Sequence, residues 1–202
     1  MPYPDRFYPV VDSVAWVARL TRLGVGTIQL RAKNLDDADA LAIVREALAV
    51  TKGTATKLVV NDYWRAAIDA KATHLHLGQE DLADADLGAI RDAGLTLGVS
   101  THDDAELATA LRTKPDYVAL GPIFFTTLKS MRFAPQGIPK ITEWKKRVGD
   151  IPLVAIGGIK LEHAGEIFAA GADSIAVVSD VTQNADPDTR VRAWLGVQKE
   201  AA

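Results

Sequence analysis

Three polar side chains stand at alternate positions in the stretch 27–33, which opens with two β-branched residues and therefore predicts a strand. They are Gln29, Arg31 and Lys33, and on a strand they would point to one side, because side chains alternate between its two faces. A planar guanidinium beside a compact ammonium suits the oxygens of a polyphosphate. Taken alone, the three residues would equally suit a solvated strand end, so the interpretation depends on what neighbouring elements bring beside them.

The elements that would position these residues alternate regularly along the chain. Eight short apolar stretches predict strands, at residues 7–11, 27–33, 57–60, 74–77, 95–99, 116–120, 152–156 and 174–178. Helical patterns lie between them, at residues 14–20, 36–50, 64–70, 85–93, 104–111, 161–170 and 187–195, with one more around residue 144. Four of the entries into strands share small or turn-forming residues, which is typical of a repeated βα unit.

Eight βα units in about 200 residues predict an α/β protein with a (β/α)₈ TIM barrel. We expect one domain over residues 1–202, with the barrel core at about 7–181 and a C-terminal helix at about 187–195. A doubly wound open sheet is the alternative. It is disfavoured because polar residues follow nearly every strand instead of gathering at one switch point.

In such a barrel the active site lies at the carboxyl ends of the strands. There the sequence places anion-binding groups after strands two, six, seven and eight, and carboxylates after strands three and four. Mg²⁺ prefers carboxylate and phosphate oxygens and needs only one or two protein carboxylates. The pattern therefore predicts phosphorylated small-molecule substrates and a hard divalent ion. The residues at these strand ends are Gln29, Arg31, Lys33, Asn61, Asp62, Gln79, Asp81, Ser100, His102, Thr126, Thr127, Lys129, Gly157, Gly158 and Ser179.

Composition excludes several other classes of function. The 202 residues are 48% hydrophobic and 24% charged with a formal net charge of −3, so no overall basic field exists to hold nucleic acid or an anionic membrane. The absence of cysteine excludes disulfides and Cys-ligated metals. The N-terminus shows no signal pattern, and no apolar run approaches the roughly 20 residues that cross a bilayer. We therefore expect a cytoplasmic protein without nucleic-acid or membrane partners, and its oligomeric state stays open.

Seven short motifs follow the predicted strands in order. They are Gln29-Leu30-Arg31-x-Lys33, Asn61-Asp62, His76-Leu77-Gly78-Gln79-x-Asp81, Gly98-Val99-Ser100-x-His102, Gly121-Pro122-Ile123-Phe124 with Lys129, Ala155-Ile156-Gly157-Gly158-Ile159, and Gly171-Ala172 leading to Ser179. Any one of them is weak, since a glycine pair after a strand is common to many phosphate-binding barrels. All seven in this order resemble the thiamine phosphate synthase family, over residues from about 7 to 181.

The resemblance implies a transferase that joins 4-amino-2-methyl-5-hydroxymethylpyrimidine diphosphate to a thiazole phosphate or its carboxylated form. The products would be thiamine phosphate and pyrophosphate. It also implies Mg²⁺ and a dissociative route, in which pyrophosphate leaves before the thiazole nitrogen captures a pyrimidine cation. Preorganised cations and a metal would stabilise the leaving group where its charge develops. No general base is required, because the attacking nitrogen carries a lone pair and no proton.

The resemblance also implies roles for individual residues of the diphosphate half of the site. Arg31, Lys33, Asn61 and Lys129 would hold the diphosphate. The residues implied to act in catalysis are Arg31, Lys33, Ser100 and Lys129.

Two further pairs complete this half of the site by the same resemblance. Asp62 and Asp81 would be the Mg²⁺ ligands. Gln29 and Ser100 would position the pyrimidine and the departing oxygen.

The second substrate's phosphate would lie on the backbone amides of Gly157 and Gly158 and at the helix start near Ser179. Amide N–H groups and the helix dipole would both face the anion there. This is the position after strands seven and eight, where barrels of this class often bind phosphate.

The loop after strand six departs from the family pattern, which usually shows Thr-x-Thr-Lys with a proline before it. Thr126 and Lys129 match that pattern, but Leu128 replaces a hydroxyl, for which the adjacent Thr127 would have to substitute. We expect the departure to affect contacts to thiazole phosphate or pyrophosphate more than the reaction type. The length of this loop, up to about residue 137, predicts a lid that excludes water.

Two other functions are alternatives. A thiazole tautomerase would need a proton shuttle, for which His102 is the candidate, and a non-catalytic barrel would only bind thiazole phosphate. Neither has a use for a diphosphate clamp with Mg²⁺, so the cations and carboxylates described above favour the synthase. His74 and His76 share a strand face, and we expect them to pack against the neighbouring helix.

Overall fold

The computed structural model describes residues 3–126 and 133–199. Its strands are β1 (Phe7–Val11), β2 (Thr27–Leu30), β3 (Lys57–Asn61), β4 (His74–Leu77), β5 (Thr96–Thr101), β6 (Tyr117–Leu120), β7 (Leu153–Ile156) and β8 (Ser174–Val177). Each strand pairs in parallel with the next, and β1 pairs with β8, so that the sheet closes. The predicted (β/α)₈ barrel is confirmed, and the open sheet is excluded.

Helices cover the outside of the barrel. They are α1 (Val14–Arg22), α2 (Asp37–Thr51), α3 (Trp64–Asp69), α4 (Gln79–Asp84), α5 (Leu87–Asp92), α6 (Asp104–Arg112), α7 (Gly137–Val148), α8 (Ala164–Ala169), α9 (Ser179–Thr182) and α10 (Pro187–Lys199). The strands are buried almost throughout, as expected for a parallel sheet with side chains on one face and helices on the other. None of these described helices combines the length and apolarity of a membrane span.

Two local predictions from the sequence differ from the structure at the site-bearing end. Strand β2 ends at Leu30 and not at residue 33, because Asn34 adopts a positive φ of 60° and Asp36 caps α2 by accepting a hydrogen bond from the Asp39 amide. Helix α4 was not predicted, since its single turn and a half is too short to show a clear period. Arg31 and Lys33 therefore follow the strand instead of belonging to it, and Gln79 and Asp81 lie in a helix instead of a loop.

The interior of the barrel is filled by a small cluster that includes two tyrosines, Tyr8 and Tyr117. Glycine at position 98 of β5 makes this possible, because a Cβ there would overlap the ring of Tyr117. The Tyr117 ring is completely buried. The missing side chain on β5 therefore leaves the space that the Tyr117 ring of β6 occupies inside the barrel.

We predict that Gly98→Ala lowers the free energy of unfolding by about 1–3 kcal/mol, the usual cost of overpacking a core. Gly165→Ala on α8 is the matched control, since a Cβ there meets no atom and glycine is unfavourable within a helix. That variant should be as stable as the parent chain or more stable, by up to about 1 kcal/mol. Urea denaturation measures both. Equal stabilities for the two variants would contradict the close approach of Gly98 and Tyr117.

Candidate active site at the carboxyl ends of the strands

A cluster of opposite charges lies where β3 and β4 end. Asp62 follows the last residue of β3 with a φ of 65°, a left-handed conformation that Asp tolerates better than most residues. Its Oδ2 accepts hydrogen bonds from the Nζ of Lys33 and the Nδ2 of Asn61. Its Oδ1 faces the amide of Gly78 at 3.4 Å. Lys33, Asn61 and Asp62, which the sequence analysis placed at the strand ends, are therefore in contact with one another.

Asp81 brings a second carboxylate to this cluster from the first turn of α4. Burial raises the pKa of Asp62, but the hydrogen bond and charge of Lys33 outweigh it, so that the pKa lies below the ordinary value. Burial and the neighbouring Asp62 carboxylate raise the pKa of Asp81 above its ordinary value. The two carboxyl groups lie close enough for the charge of one to affect the pKa of the other, and this proximity is repulsive unless a proton or a cation is shared between them.

The donor set of this cluster fits Mg²⁺. Two adjacent carboxylates are as many protein ligands as that ion commonly uses when substrate phosphates supply further oxygens. Within the ranges described, no group of three or more His, Cys, Asp or Glu side chains is arranged to hold a metal. Asp62 and Asp81 are therefore the residues that would hold the ion, with the ammonium of Lys33 beside them.

Gln29 and Ser100 take positions inside the barrel mouth. The amide of Gln29 donates to the hydroxyl of Tyr8 at 2.6 Å, and the Oγ of Ser100 lies 2.8 Å from the Nε2 of His76. Because β2 ends at Leu30, strand alternation does not govern the cations that follow Gln29. The prediction that all three polar residues share one strand face was therefore wrong, although they occupy the same end of the barrel.

The prediction for His74 and His76 was also wrong. His76 points into the barrel, where its Nδ1 lies 2.9 Å from the Tyr117 hydroxyl, and His74 packs on the ring of Tyr3 with ring centres 4.7 Å apart. Burial lowers the pKa of His76 to about 4. Burial, together with the charge of Lys57, lowers the pKa of His74 to about 4 as well. Both imidazoles are neutral at pH 7, and the partners named for their rings lie on strands or in the N-terminal segment and not on the neighbouring helix.

His102 lies at the start of α6 and is engaged on two sides. Its Nδ1 is 2.7 Å from the Oε2 of Glu106, and its ring stacks on Phe133 with centres 4.8 Å apart. Phe133 belongs to the loop between β6 and α7 and is the first residue that the structure describes after residue 126. The contacts support a positioning role for His102 beside this loop.

A second cleft, of about 350 Å³, opens where β7 and β8 end. It is lined by Phe125, Thr126, Gly158, Lys160, Ser179, Asp180, Gln183 and Asn184. Thr126, Gly158 and Ser179, which the sequence analysis proposed as phosphate-binding residues, therefore line the same cleft. Gly157 and Gly158 both have a positive φ, and a Cβ on Gly158 would overlap the backbone of Phe125. Glycine is required here by the close packing of the loops after β6 and β7.

The charges around this second cleft were only partly visible in the sequence. Lys160 adds a cation directly after the Gly157-Gly158-Ile159 motif, and its position next to that motif was the available signal. Asp180 also lines the cleft, but both of its oxygens accept from the guanidinium of Arg190 at 2.8 Å. The Nε1 of Trp194 donates to the same carboxylate at 2.8 Å. The negative charge of Asp180 is therefore compensated, which leaves the cleft suited to an anion.

Arg31 is half-buried at the end of β2, where its amide donates to the carbonyl of Val11 at 2.7 Å. The remaining predicted residues of the loop after β6, which are Thr127, Leu128 and Lys129, lie outside the described residues. Their proposed contacts, and the effect of leucine at position 128, stay predictions.

Comparison with known proteins places these features in a family. The family model described as thiamine monophosphate synthase matches residues 7–181. The chain is 54% identical over 191 residues to a thiamine-phosphate synthase of Rhizobium etli, covering 95% of this chain and 94% of the relative. It is 52% identical over 186 residues to a thiamine-phosphate synthase of Salmonella dublin, covering 92% and 88%. The solved structure of a thiamine phosphate pyrophosphorylase from Pyrococcus furiosus superposes with a TM-score of 0.84 at 26% identity, covering 96% of both chains.

We predict that Asp81→Asn raises the free energy of unfolding at pH 7 when divalent ions are removed with EDTA. The pKa of Asp81 is raised in the folded state, so ionisation costs the folded chain stability as the pH rises above the ordinary carboxyl value of about 3.9. Asparagine removes that cost. The gain should therefore be present at pH 7 and vanish at about pH 3, where the Asp81 carboxyl is protonated in both the folded and the unfolded chain. Urea denaturation at the two pH values measures it.

Glu80→Gln is the matched control, because Glu80 is exposed in the same first turn of α4. Both variants lose a favourable charge at the helix N-terminus, typically about 0.3–1 kcal/mol, but only Asp81→Asn relieves the repulsion with Asp62. An Asp81→Asn chain that is destabilised as much as Glu80→Gln would show that the two carboxylates do not repel each other.

Proposed function

The chain belongs to the thiamine monophosphate synthase family and is a transferase, and from this premise we propose the reaction and the roles of its residues. The substrates are an aminopyrimidine methyl diphosphate and a thiazole phosphate or its carboxylated form, and the products are thiamine phosphate and pyrophosphate. The observation that carries the proposal is that two separate polar regions lie at one end of the barrel, and in the proposal each of them binds one phosphorylated substrate. One is the Lys33–Asp62–Asp81 cluster, and the other is the cleft lined by Gly158 and Ser179.

The diphosphate binds at the charged cluster. Lys33 already lies against the carboxylate of Asp62, and Arg31 follows the same strand, so both cations can face phosphate oxygens at the end of β2. Asn61 presents its amide from the end of β3. Lys129, which we place on the opposite side of the diphosphate, belongs to the loop outside the described residues.

Asp62 and Asp81 hold Mg²⁺ in this proposal. The ion supplies charge neutralisation for the diphosphate and relieves the repulsion between the two carboxylates. The support is chemical, since burial and the neighbouring Asp62 carboxylate both raise the pKa of Asp81, and a cation between the two carboxylates would offset the second of these effects.

Carbon–oxygen cleavage then places charge on the departing pyrophosphate, and the side chains of Arg31 and Lys33 face that charge. A preorganised cation stabilises the transition state more than the ground state, because the charge on the leaving group grows only as the bond breaks. Gln29 and Ser100 orient the pyrimidine ring between the two anion-binding regions. The thiazole nitrogen attacks through its lone pair, so the mechanism requires no general base.

The thiazole phosphate binds in the second cleft. Lys160 contributes the cation, and the start of α9 at Ser179 contributes backbone N–H groups. Compensation of Asp180 by Arg190 removes a carboxylate charge that would otherwise repel the phosphate. Separation of the two anions in this way keeps the thiazole nitrogen free to approach the pyrimidine.

Neither alternative function gains support from the described residues. The candidate proton shuttle of a tautomerase, His102, is hydrogen-bonded to Glu106 and stacked on Phe133. A barrel that only bound thiazole phosphate would not need the paired carboxylates and the ammonium at the ends of β2, β3 and β4.

We predict that the purified protein releases pyrophosphate when both substrates and Mg²⁺ are supplied, and that Lys33→Ala lowers kcat by about 10²-fold. This is the effect expected when one preorganised charge-stabilising group is lost. A coupled pyrophosphate assay measures both results. Lys129→Ala should behave in the same way, because we place it on the same leaving group.

Lys52→Ala is the matched control for these variants, since Lys52 is an exposed lysine at the C-terminal end of α2, away from the strand ends that form the site. It should retain the activity of the parent chain. Absence of pyrophosphate release by the parent chain would overturn the proposed reaction. Full activity of folded Lys33→Ala would overturn the role of that residue alone.

We also predict that Lys160→Met raises the KM for thiazole phosphate by about tenfold with little change in kcat, because a charge-assisted contact to the bound phosphate is lost. The KM for the diphosphate should not change. Lys146→Met, at the far end of α7, is the control. Equal increases in the KM of both substrates would contradict the assignment of Lys160 to the thiazole phosphate cleft. Gly158 is unsuitable for this test, since a side chain there overlaps the backbone.

A further inference from the structure

Five polar side chains form a continuous hydrogen-bonded relay through the inside of the barrel, from β2 to β5. Gln29 Nε2 donates to the Tyr8 hydroxyl at 2.6 Å, and that hydroxyl lies 2.8 Å from the Tyr117 hydroxyl. The Tyr117 hydroxyl is 2.9 Å from His76 Nδ1, and His76 Nε2 is 2.8 Å from Ser100 Oγ. The two ends of this relay are the residues that face the pyrimidine in the proposed function, whereas its three middle members lie within the barrel.

The direction of each hydrogen bond follows from the first one. A phenol has one proton, so Tyr8, which accepts from Gln29, uses its own proton toward Tyr117. Tyr117 then has its proton left for His76 Nδ1, which must be the unprotonated nitrogen of a neutral imidazole. His76 carries its proton on Nε2 and donates it to Ser100 Oγ. All four bonds therefore run in one direction.

The direction of the relay determines which hydrogen-bond donors and acceptors Gln29 and Ser100 have left for a bound pyrimidine. Gln29, which uses one of its two N–H groups toward Tyr8, is held with its carbonyl oxygen turned away from Tyr8 as a free acceptor, and it keeps its second N–H. Ser100, which accepts from His76, retains its hydroxyl proton as a donor. If every bond were reversed, the Gln29 carbonyl would accept from Tyr8 and its amide N–H groups would face away, and Ser100 would keep only lone pairs. The relay therefore couples the two residues across the barrel: the group that Gln29 leaves free determines whether Ser100 can donate a proton.

We propose that the Tyr8–Tyr117–His76 relay makes the site specific for an amino-substituted pyrimidine by holding Gln29 as an acceptor and Ser100 as a donor. The proposal rests on the proposed function, in which these two residues contact the pyrimidine. An aminopyrimidine offers N–H groups on its amino substituent and lone pairs on its ring nitrogens, which is the complementary pattern. An oxo group in place of the amino group would present an acceptor to the Gln29 carbonyl and would be rejected. Tyr8, Tyr117 and His76 are positioning residues, because they act through Gln29 and Ser100.

The packing around the relay restricts reorientation of its members. Tyr8 and Tyr117 are each 1% exposed or less, and His76 is 6% exposed. The Tyr117 ring occupies the space left by Gly98 and stacks on His76 with ring centres 5.5 Å apart. Buried donors and acceptors that lose their partners carry a full desolvation cost, so reversal of a single bond is unfavourable.

The first test measures kcat/KM for the aminopyrimidine diphosphate and for its oxo counterpart in the parent chain and in Tyr117→Phe. The variant interrupts the relay without removing the ring, so we expect the preference for the amino compound to fall by about tenfold or more. Tyr3→Phe is the matched control, because the Tyr3 ring also contacts Tyr117 but its buried hydroxyl has no hydrogen-bond partner among the described residues. It should keep the parent preference. An unchanged preference in folded Tyr117→Phe would overturn the proposal, and Tyr8→Phe gives the same test at the next link.

The second test needs no variant protein for its result. Long-range ¹H–¹⁵N correlation spectra of the histidine-labelled parent chain report the tautomer of His76, with His76→Gln used only for assignment. We expect a neutral ring with its proton on Nε2. A proton on Nδ1, or a charged ring, would overturn the direction of the relay. An Nε2 proton in a protein that releases no pyrophosphate would support the relay and contradict the proposed function, so the two failures can be distinguished.

Discussion

Main-chain hydrogen bonds between β1 and β8 close the sheet, and the arrangement of the site depends on this closure. Residues Phe7, Tyr8 and Pro9 pair with the strand that comes last in the chain. Because all eight strands are parallel, closure brings all eight carboxyl ends to one rim. Residues from distant parts of the chain then lie within contact distance there without any disulfide, since the chain has no cysteine. An open sheet with the same strands would spread them along an edge.

The closed barrel has an interior that must be filled, and this chain fills part of it with polar side chains. A buried polar group destabilises a protein unless it is hydrogen-bonded, so the hydroxyls of Tyr8 and Tyr117 and the ring of His76 must satisfy one another. They do so in a single linear network. The absence of a side chain at Gly98 provides the room. Packing and hydrogen bonding therefore constrain the same few residues, which gives the interior one arrangement.

Charge at the rim is organised into two environments. At the ends of β3 and β4, two carboxylates approach each other and a lysine compensates one of them, which leaves the second with a raised pKa. At the ends of β7 and β8 the carboxylate of Asp180 is held by Arg190, and Arg190 also binds Glu162 and lowers its pKa to about 2. The first environment favours a cation together with a polyphosphate. The second favours an anion alone.

The sequence by itself determined the repeating βα order, the barrel and the end of it that bears the site, because strand period, turn residues and polar strand ends are local signals. It also placed Lys33, Asn61 and Asp62 at the same end of the barrel, since each lies at or just beyond the end of a predicted strand. The resemblance implied that Asp62 and Asp81 lie near each other, but only the tertiary structure showed that Asp81 is carried by a helix that is separated from β4 by a single residue.

Tertiary structure likewise decided the orientation of His76, which the sequence analysis assigned to the wrong surroundings. Its partner Tyr117 is 41 residues away, and Tyr117 meets Tyr8 across 109 residues of chain. Such contacts are set by the register between strands and by the space that Gly98 leaves. Alternation along one strand shows which side chains share a face, but not which face is the interior or what lies opposite. That information exists only once the barrel is closed.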